Sequence, residues 1–380
     1  NLLDGQGVYI LGYYAAADGG GGMYVYDASS AATANDGTVL ALDTLAGRLL
    51  YSDTAPFTVE TFGAGGVGDS GAAIQKAIDY SQTLVEATFA ISTPPILFGA
   101  ETYEFSSTIT KKSAPWLGKG VDNTVLKWNG DSATIAIQQD TLTARGGNSA
   151  TNLEGMSFYA GSAKPLTWLK IPLNAAGFGV DFGYRLRELR FRGVTQYHID
   201  IEGYVNAQWS HLRFDEWDGF AIKITPSVGQ NLSSFDLSDW TADHMAGSTG
   251  EGFILIDNSN EESNIGTLRL SSFRYENNAT LTGGKGFIVI DSDTSDCVQI
   301  QLENATYQDV GNITTGDSLV YMDGAGSSPS VVFQNFNPES LDSLVGGTLP
   351  AGWAGTDVPA IPIQYGNISR HNCIVMPRTS

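Results

Sequence analysis

The chain is poor in the residues that metal and redox chemistry require. Its 380 residues include two cysteines, Cys297 and Cys373, and four histidines, too few and too scattered for a Cys/His ligand set. No metal and no cofactor is therefore expected. The cysteines are read as buried free thiols rather than as a disulfide. Basic residues are also scarce, 20 Lys+Arg against 41 Asp+Glu for a net charge of -21. A field of that sign repels phosphate backbones, so no nucleic acid is expected as a partner. Long apolar runs are missing too. The stretch from Val8 to Ala17 is broken by Gly12 and falls short of the about 20 residues that cross a bilayer. No basic segment precedes it, as one would in a secretion signal, and membrane insertion is not expected.

What is abundant is glycine, at 45 residues, with many Thr, Ser, Asn, Val, Ile and aromatic residues and only 16% charged ones. That composition suits short strands joined by tight turns. At this length the alternatives are two globular domains or one elongated repeat structure, and the middle of the chain repeats. LRFRGV at Leu189 recurs as LRFDEW at Leu212, FDLSDW at Phe235, LRLSSF at Leu268, IQLENA at Ile300 and VVFQNF at Val331, in steps of 23, 23, 33, 32 and 31 residues. MSFYAG at Met156 is a weaker copy 33 residues before Leu189. A second strand repeats in step, from YHIDI at Tyr197 through FAIKI, FILID and FIVID to LVYMD at Leu319. Repetition at such spacing is the signature of a solenoid.

Alternation within each copy sends Leu212 and Phe214 inward and Arg213 and Asp215 outward. Trp217 and Trp240 then stack in the core rather than against a ligand. The outward ladders place Asp236 between Arg213 and Arg269, and Asp215 beside Arg192. They also set Glu216 against Asp239 with no cation between. Two carboxylates held close cannot both ionise cheaply, and a pair with divergent pKa values can supply the acid and the base of glycoside hydrolysis. Glu216, Asp239, Asp218 and Asp243 are the expected catalytic residues. Asp215, Asp236, His244, Arg213, Arg269 and Glu276 are the expected substrate contacts. The connections between the repeating strands lengthen from two residues to about a dozen from residue 241 onward. The step this creates, Asp218 against residues 241–252, is where a groove is expected. Elimination would instead need a base with a cation to hold a uronate carboxylate, for which His211, Arg213, Arg269 and Lys223 are available without forming a compelling cluster.

The run GAGGVG at Gly63–Gly68 follows a strand-like FTVETF and precedes a helical DSGAAIQKAIDYSQTLV, so it fits the dinucleotide-binding fingerprint literally. Beyond about Phe89 the pattern is β-type, without the alternating helices that fold needs, and nucleotide binding is rejected. The same run, TFGAGGVGDSGAAIQKAID, followed by PPILFGAETYEFSSTITKK and PWLGKGVDNTVLKW, resembles the opening of pectate-lyase-like β-helix proteins in order and spacing. DGGGGMYVYDASS and DGTVLALDTLAGRLLY before it resemble the segment preceding that helix in phage tailspikes and capsule depolymerases. The likeness covers roughly Asp18 to Trp128.

It implies an all-β chain, a right-handed parallel β-helix over 57–340 with a capping helix near 70–87. A short N-terminal extension over 1–56 and a C-terminal cap or subunit-contact segment over 341–380 complete it. It further implies a virion-borne, extracellular phage tail protein, a homotrimer attached to other tail or baseplate proteins, that binds host surface polysaccharide and cleaves it by hydrolysis. In that family the acidic residues lie on the outer face or between subunits. The alternatives are a non-enzymatic receptor-binding fibre of the same fold, a polysaccharide lyase, and a secreted pectin-degrading enzyme.

Overall fold

A computed structural model describes residues 2–52, 57–66, 68–88, 94–140, 152–172, 184–203, 206–225, 232–244, 251–258, 265–277, 286–292, 299–309, 318–323, 330–339, 343–347 and 373–375. The N-terminal residues form an antiparallel sheet of β1 (Gly7–Ile10), β2 (Gly22–Asp27), β3 (Val39–Ala41) and β4 (Arg48–Tyr51) in the order β1-β2-β4-β3. Its small core is Tyr24, Tyr26 and Leu49. The two tyrosine hydroxyls are not wasted there, since they donate to the carbonyls of Gly37 and Ala46 at 2.7 and 2.6 Å, as buried hydroxyls must. Helix α1 (Gly71–Thr88) follows. Asp69 opens it by accepting the N–H of Gly71 at 2.7 Å, and it buries Ile74, Ala77 and Ile78 against the first strands of the solenoid. Lys76 on α1 reaches Asp36 of the N-terminal sheet at 2.7 Å. The glycines of GAGGVG make the turn between them. Gly63 has φ +89°, and a side chain there would come within 2.7 Å of the Tyr13 ring. The turn is thus packed under Tyr13 at Gly63 and under Tyr14 at Gly66.

From residue 96 on, the chain winds as a parallel β-helix, with strand-crossover-parallel strand order of the kind that is right-handed in nearly all proteins. One sheet has twelve strands, the long ones being Asn152–Ala160, Tyr184–Val194, Asn206–Trp217, Leu232–His244, Ile265–Asn277, Gln299–Asp309 and Ser330–Glu339. The other has nine, ending in Phe220–Thr225, Gly252–Asn258, Gly286–Ser292, Ser318–Asp323 and Ser343–Gly347. The last of these continues the rungs past residue 341. Cys373–Val375 then closes the larger sheet by pairing antiparallel with Val331–Phe333. Cys297 lies outside the described residues. No described helix is long and apolar enough to cross a membrane.

Between the sheets the core is a stack of aromatic rings. Phe158, Phe191 and Phe214 lie nearly parallel at 4.8 and 5.6 Å, and Trp240 stacks on Phe253 and Phe273 at 4.5 Å each. Trp217 and Trp240 are buried, at 0% and 1% exposure. One repeat step differs from the sequence reading. Leu189 pairs with Leu212, but Phe235 pairs with Ala207, 28 residues back, and not with Leu212. The reason is that each long strand is bent in the middle, so it carries two alternating apolar-polar segments, and the second segment of one rung resembles the first segment of the next.

A lysine is also buried. Lys111 is 0% exposed and donates to the carbonyls of Lys112 and Ala114 at 3.1 Å each, and burial pushes its amine well below the usual lysine range. The unfolded chain holds that proton up to about pH 10, while the folded chain sheds it at lower pH. Folding therefore releases a proton, and stability rises with pH across that window. Lys111→Met is expected to raise the melting temperature at pH 7, with a gain that shrinks toward pH 10. Scanning calorimetry at the two pH values checks this.

Candidate functional site

On the first segment of the long strands, Leu153, Leu186, Trp209 and Leu237 point into the core, so their neighbours point out. The register stacks those neighbours in two columns. One runs Asn152, Arg185, Gln208, Asp236, Arg269 and Gln301, and the other Glu154, Arg187, Ser210, Ser238, Ser271 and Glu303. The second column is low in its middle, where three serines stand between the long arms of Arg187 and Glu303. A groove of about 580 Å³ opens over these columns across four successive strands, with His211 on its lining.

The groove is charged, and most of the charges are compensated. Arg187 lies 3.9 Å from Glu154 and 3.3 Å from Glu188. Arg269 lies 3.6 Å from Asp236 and 2.9 Å from Glu303, and its hydrogen bond to Glu303 raises its pKa further. Asp236 is 35% exposed, yet its Oδ1 is buried without a hydrogen-bond partner, a state rare in native proteins and a reason to look for function. Arg185 and His211 are exposed, and neither has an acidic partner among the described residues.

The bend that ends the first segment borders the groove, with His211 on its lining. Glu188, His211, Asp239, Ser272 and Asn304 occupy it on successive strands with φ between +50 and +56°, and Gly155 takes the same position with φ +70°. Glycine takes up the left-handed region freely and Asn, Asp and His are enriched there, whereas other residues meet a steric cost of roughly 1–2 kcal/mol. The fold itself therefore accounts for Gly155, His211, Asp239 and Asn304 more readily than for Glu188 or Ser272. His211→Gly is expected to raise stability by about 1 kcal/mol, and chemical denaturation checks the sign.

The expected site residues are dispersed by the 28-residue step. Glu216 and Asp239 do not stack. Asp239 sits at the groove bend in line with His211, and Glu216 (φ +54°) sits at a second bend in line with Gly193, where it accepts from Arg192 at 2.9 Å. Asp218 is bound to Lys164 at 3.0 Å. Asp215, 2% exposed, accepts from Arg190 at 2.7 Å and Arg213 at 3.0 Å, and it heads a different acidic column with Asp243 and Glu276. Asp236 has Gln208 and Arg269 as ladder neighbours rather than two arginines. Residues 241–244 are strand rather than loop, the side chain of His244 and residues 245–250, and with them most of the expected step, lie outside the described residues, and the described groove opens over the serine column. Lys223 belongs to the other sheet, 2.8 Å from Asp257. Arg185, Arg187, Glu154 and Glu188 were missed, although YRLRELRFR concentrates four arginines in nine residues. Among the described residues no group of three His, Cys, Asp or Glu side chains is arranged to hold a metal.

Residues 1–56 match the family model of a phage tail protein small four-stranded β-sheet domain. No curated protein sequence matches the chain significantly. Among solved structures, the fold is similar to a tailspike protein, gp49, of the Acinetobacter baumannii bacteriophage Fri1, a capsular polysaccharide depolymerase, with TM-score 0.58 and 14% identity over 93% of this chain and 67% of that one. It is similar to the tailspike protein of Acinetobacter phage vB_ApiP_P1, with TM-score 0.55 and 16% identity over 98% and 72%. It also resembles the enzymatically active domain of tailspike protein 2 of bacteriophage CBA120, with TM-score 0.53 and 14% identity over 91% of this chain. The chain spans 55% of that domain. At these identities the likeness establishes the parallel β-helix of tailspikes.

Proposed function

We propose that this chain is the β-helical body of a phage tailspike whose groove binds the surface polysaccharide of the host bacterium and hydrolyses it. The observation that carries the reading is Asp236, a partly exposed carboxylate in a groove, with one buried oxygen that has no hydrogen-bond partner among the described residues. The groove crosses four strands at about 4.8 Å per strand, so it runs along the solenoid axis and suits a linear polymer. Hydrolysis needs one carboxyl group to protonate the leaving oxygen and one to activate water or attack the anomeric carbon. Asp236 lines the groove, and Asp239, three residues on at the bend, stands in line with His211 of the neighbouring strand; these two carboxylates of one strand are assigned the two roles. The phage-tail match of residues 1–56 and the tailspike fold support a position in the virion tail; other tail proteins as partners and assembly as a homotrimer belong to the proposal.

The test is incubation with purified surface polysaccharide from candidate hosts, followed by size-exclusion analysis. Hydrolysis yields shorter, saturated fragments. Binding without fragments would make the protein a non-enzymatic fibre. A second reading, elimination, is favoured by His211, a base that shares the groove with two arginines. An ultraviolet-absorbing unsaturated end on the fragments would replace hydrolysis by elimination.

A further inference from the structure

The charges around the groove do not cancel one by one. On strand Tyr184–Val194, Arg187, Arg190 and Arg192 each have a carboxylate within reach, at 3.3, 2.7 and 2.9 Å. Arg185, on the same strand, has none among the described residues and points into the groove. In a chain with 41 acidic residues to 20 basic ones, an arginine left unpaired is the exception, and this one stands where a ligand would lie. Its ladder neighbours are Asn152 and Gln208, neutral amides able to hydrogen-bond sugar hydroxyls and carrying no charge to neutralise a guanidinium. His211 adds a second donor without an acidic partner at the bend.

We infer that the groove selects an acidic polysaccharide, one whose repeating unit carries a carboxylate, and that Arg185 takes that carboxylate. The inference rests on the glycan-binding reading of the groove and not on how, or whether, the glycan is cut. A guanidinium fork matches a carboxylate in two parallel hydrogen bonds, which gives position as well as attraction. The same column limits the charge of the polymer. Asp236 lies two strands from Arg185, about 10 Å away, and Glu154 lies beside Arg187 in the second column. Both repel a further carboxylate. The repeating unit therefore alternates acidic and neutral sugars, with the acidic sugar at Arg185 and hydroxyl-bearing sugars toward Asp236.

The experiment immobilises purified capsular and O-antigen polysaccharides, each in its native form and after chemical reduction of its carboxyl groups to alcohols. Neutral polysaccharides and carboxyl-free, phosphate-bearing ones are included. The full chain is expected to bind carboxyl-bearing members, to lose about ten-fold or more in affinity when they are reduced, and to lose as much in Arg185→Gln. The variant should bind the reduced forms as the wild type does and melt at the same temperature. Equal binding of native and reduced forms overturns the inference while leaving the groove a glycan site. Preference for neutral or phosphate-bearing members does the same. Undiminished binding by Arg185→Gln removes the assigned residue. Failure to bind any polysaccharide overturns the glycan-binding reading beneath it, a result none of the other outcomes resembles.

Discussion

Asp236→Asn is expected to keep its hold on host polysaccharide while releasing fragments about 10²–10⁴-fold more slowly, the usual consequence of removing a general acid or base. The amide is nearly the same size and keeps one acceptor oxygen, so the groove retains its shape, and what is lost is the ionisable group. Asp239→Asn should fall in the same range. The double variant should be little worse than either single one, because residues that act on the same bond-breaking event do not contribute additively. Reducing-end release under saturating substrate, with binding measured separately, gives the comparison. Glu216→Gln provides the contrast. Its carboxylate is committed to Arg192 at 2.9 Å, and its loss should disturb a bend rather than a reaction. A large rate loss there with Asp236→Asn unimpaired would return catalysis to Glu216.

The second large effect lies in the core. Trp240→Ala should destabilise the protein by about 3–5 kcal/mol, because the indole is sandwiched between Phe253 and Phe273 at 4.5 Å on each side. The hole would lie between rings that cannot collapse toward each other without moving strands of both sheets. A fall in the melting temperature and in the midpoint of guanidinium unfolding checks it. Trp240→Phe, which keeps a ring in the stack, should recover much of the loss. Equal losses in both variants would mean that the stacking is incidental and that some other property of the indole matters.

These two residues also mark what sequence reading can and cannot reach. The solenoid was legible because a rung must return to the same apolar positions. LRLSSF at Leu268 and IQLENA at Ile300 pair as their 32-residue spacing requires. Trp240 was legible as core for the same reason, although its partners were not. The groove was less so, because a left-handed residue inside a strand resets the alternation and leaves no apolar signal of its own. Glu188 and Ser272 are ordinary residues at the bend, and Gly155, Asp239 and Asn304 only hint at it, as Gly193 does at the second bend. A pattern with period two then matches either half of a bent strand. That is how FDLSDW aligned with LRFDEW, and how Asp239 came to be paired with Glu216 instead of standing in line with His211. The arginines divided in the same way. Arg190 and Arg192 lie after the bend and fell inside the repeat, while Arg185 and Arg187 lie before it and fell outside.

The antiparallel strand Cys373–Val375 has a consequence for how molecules meet. A stack of parallel strands ends in a row of open N–H and C=O groups that a like rung from another molecule would extend, and nothing in the ladder would limit such growth. At one end of the solenoid α1 lies across the first strands. At the other, a reversed strand offers the paired and unpaired spacing of an antiparallel edge, which a parallel rung does not match. Axial growth through the larger sheet is thereby disfavoured at that end, so its ladder of parallel strands does not offer a matching edge to a second molecule.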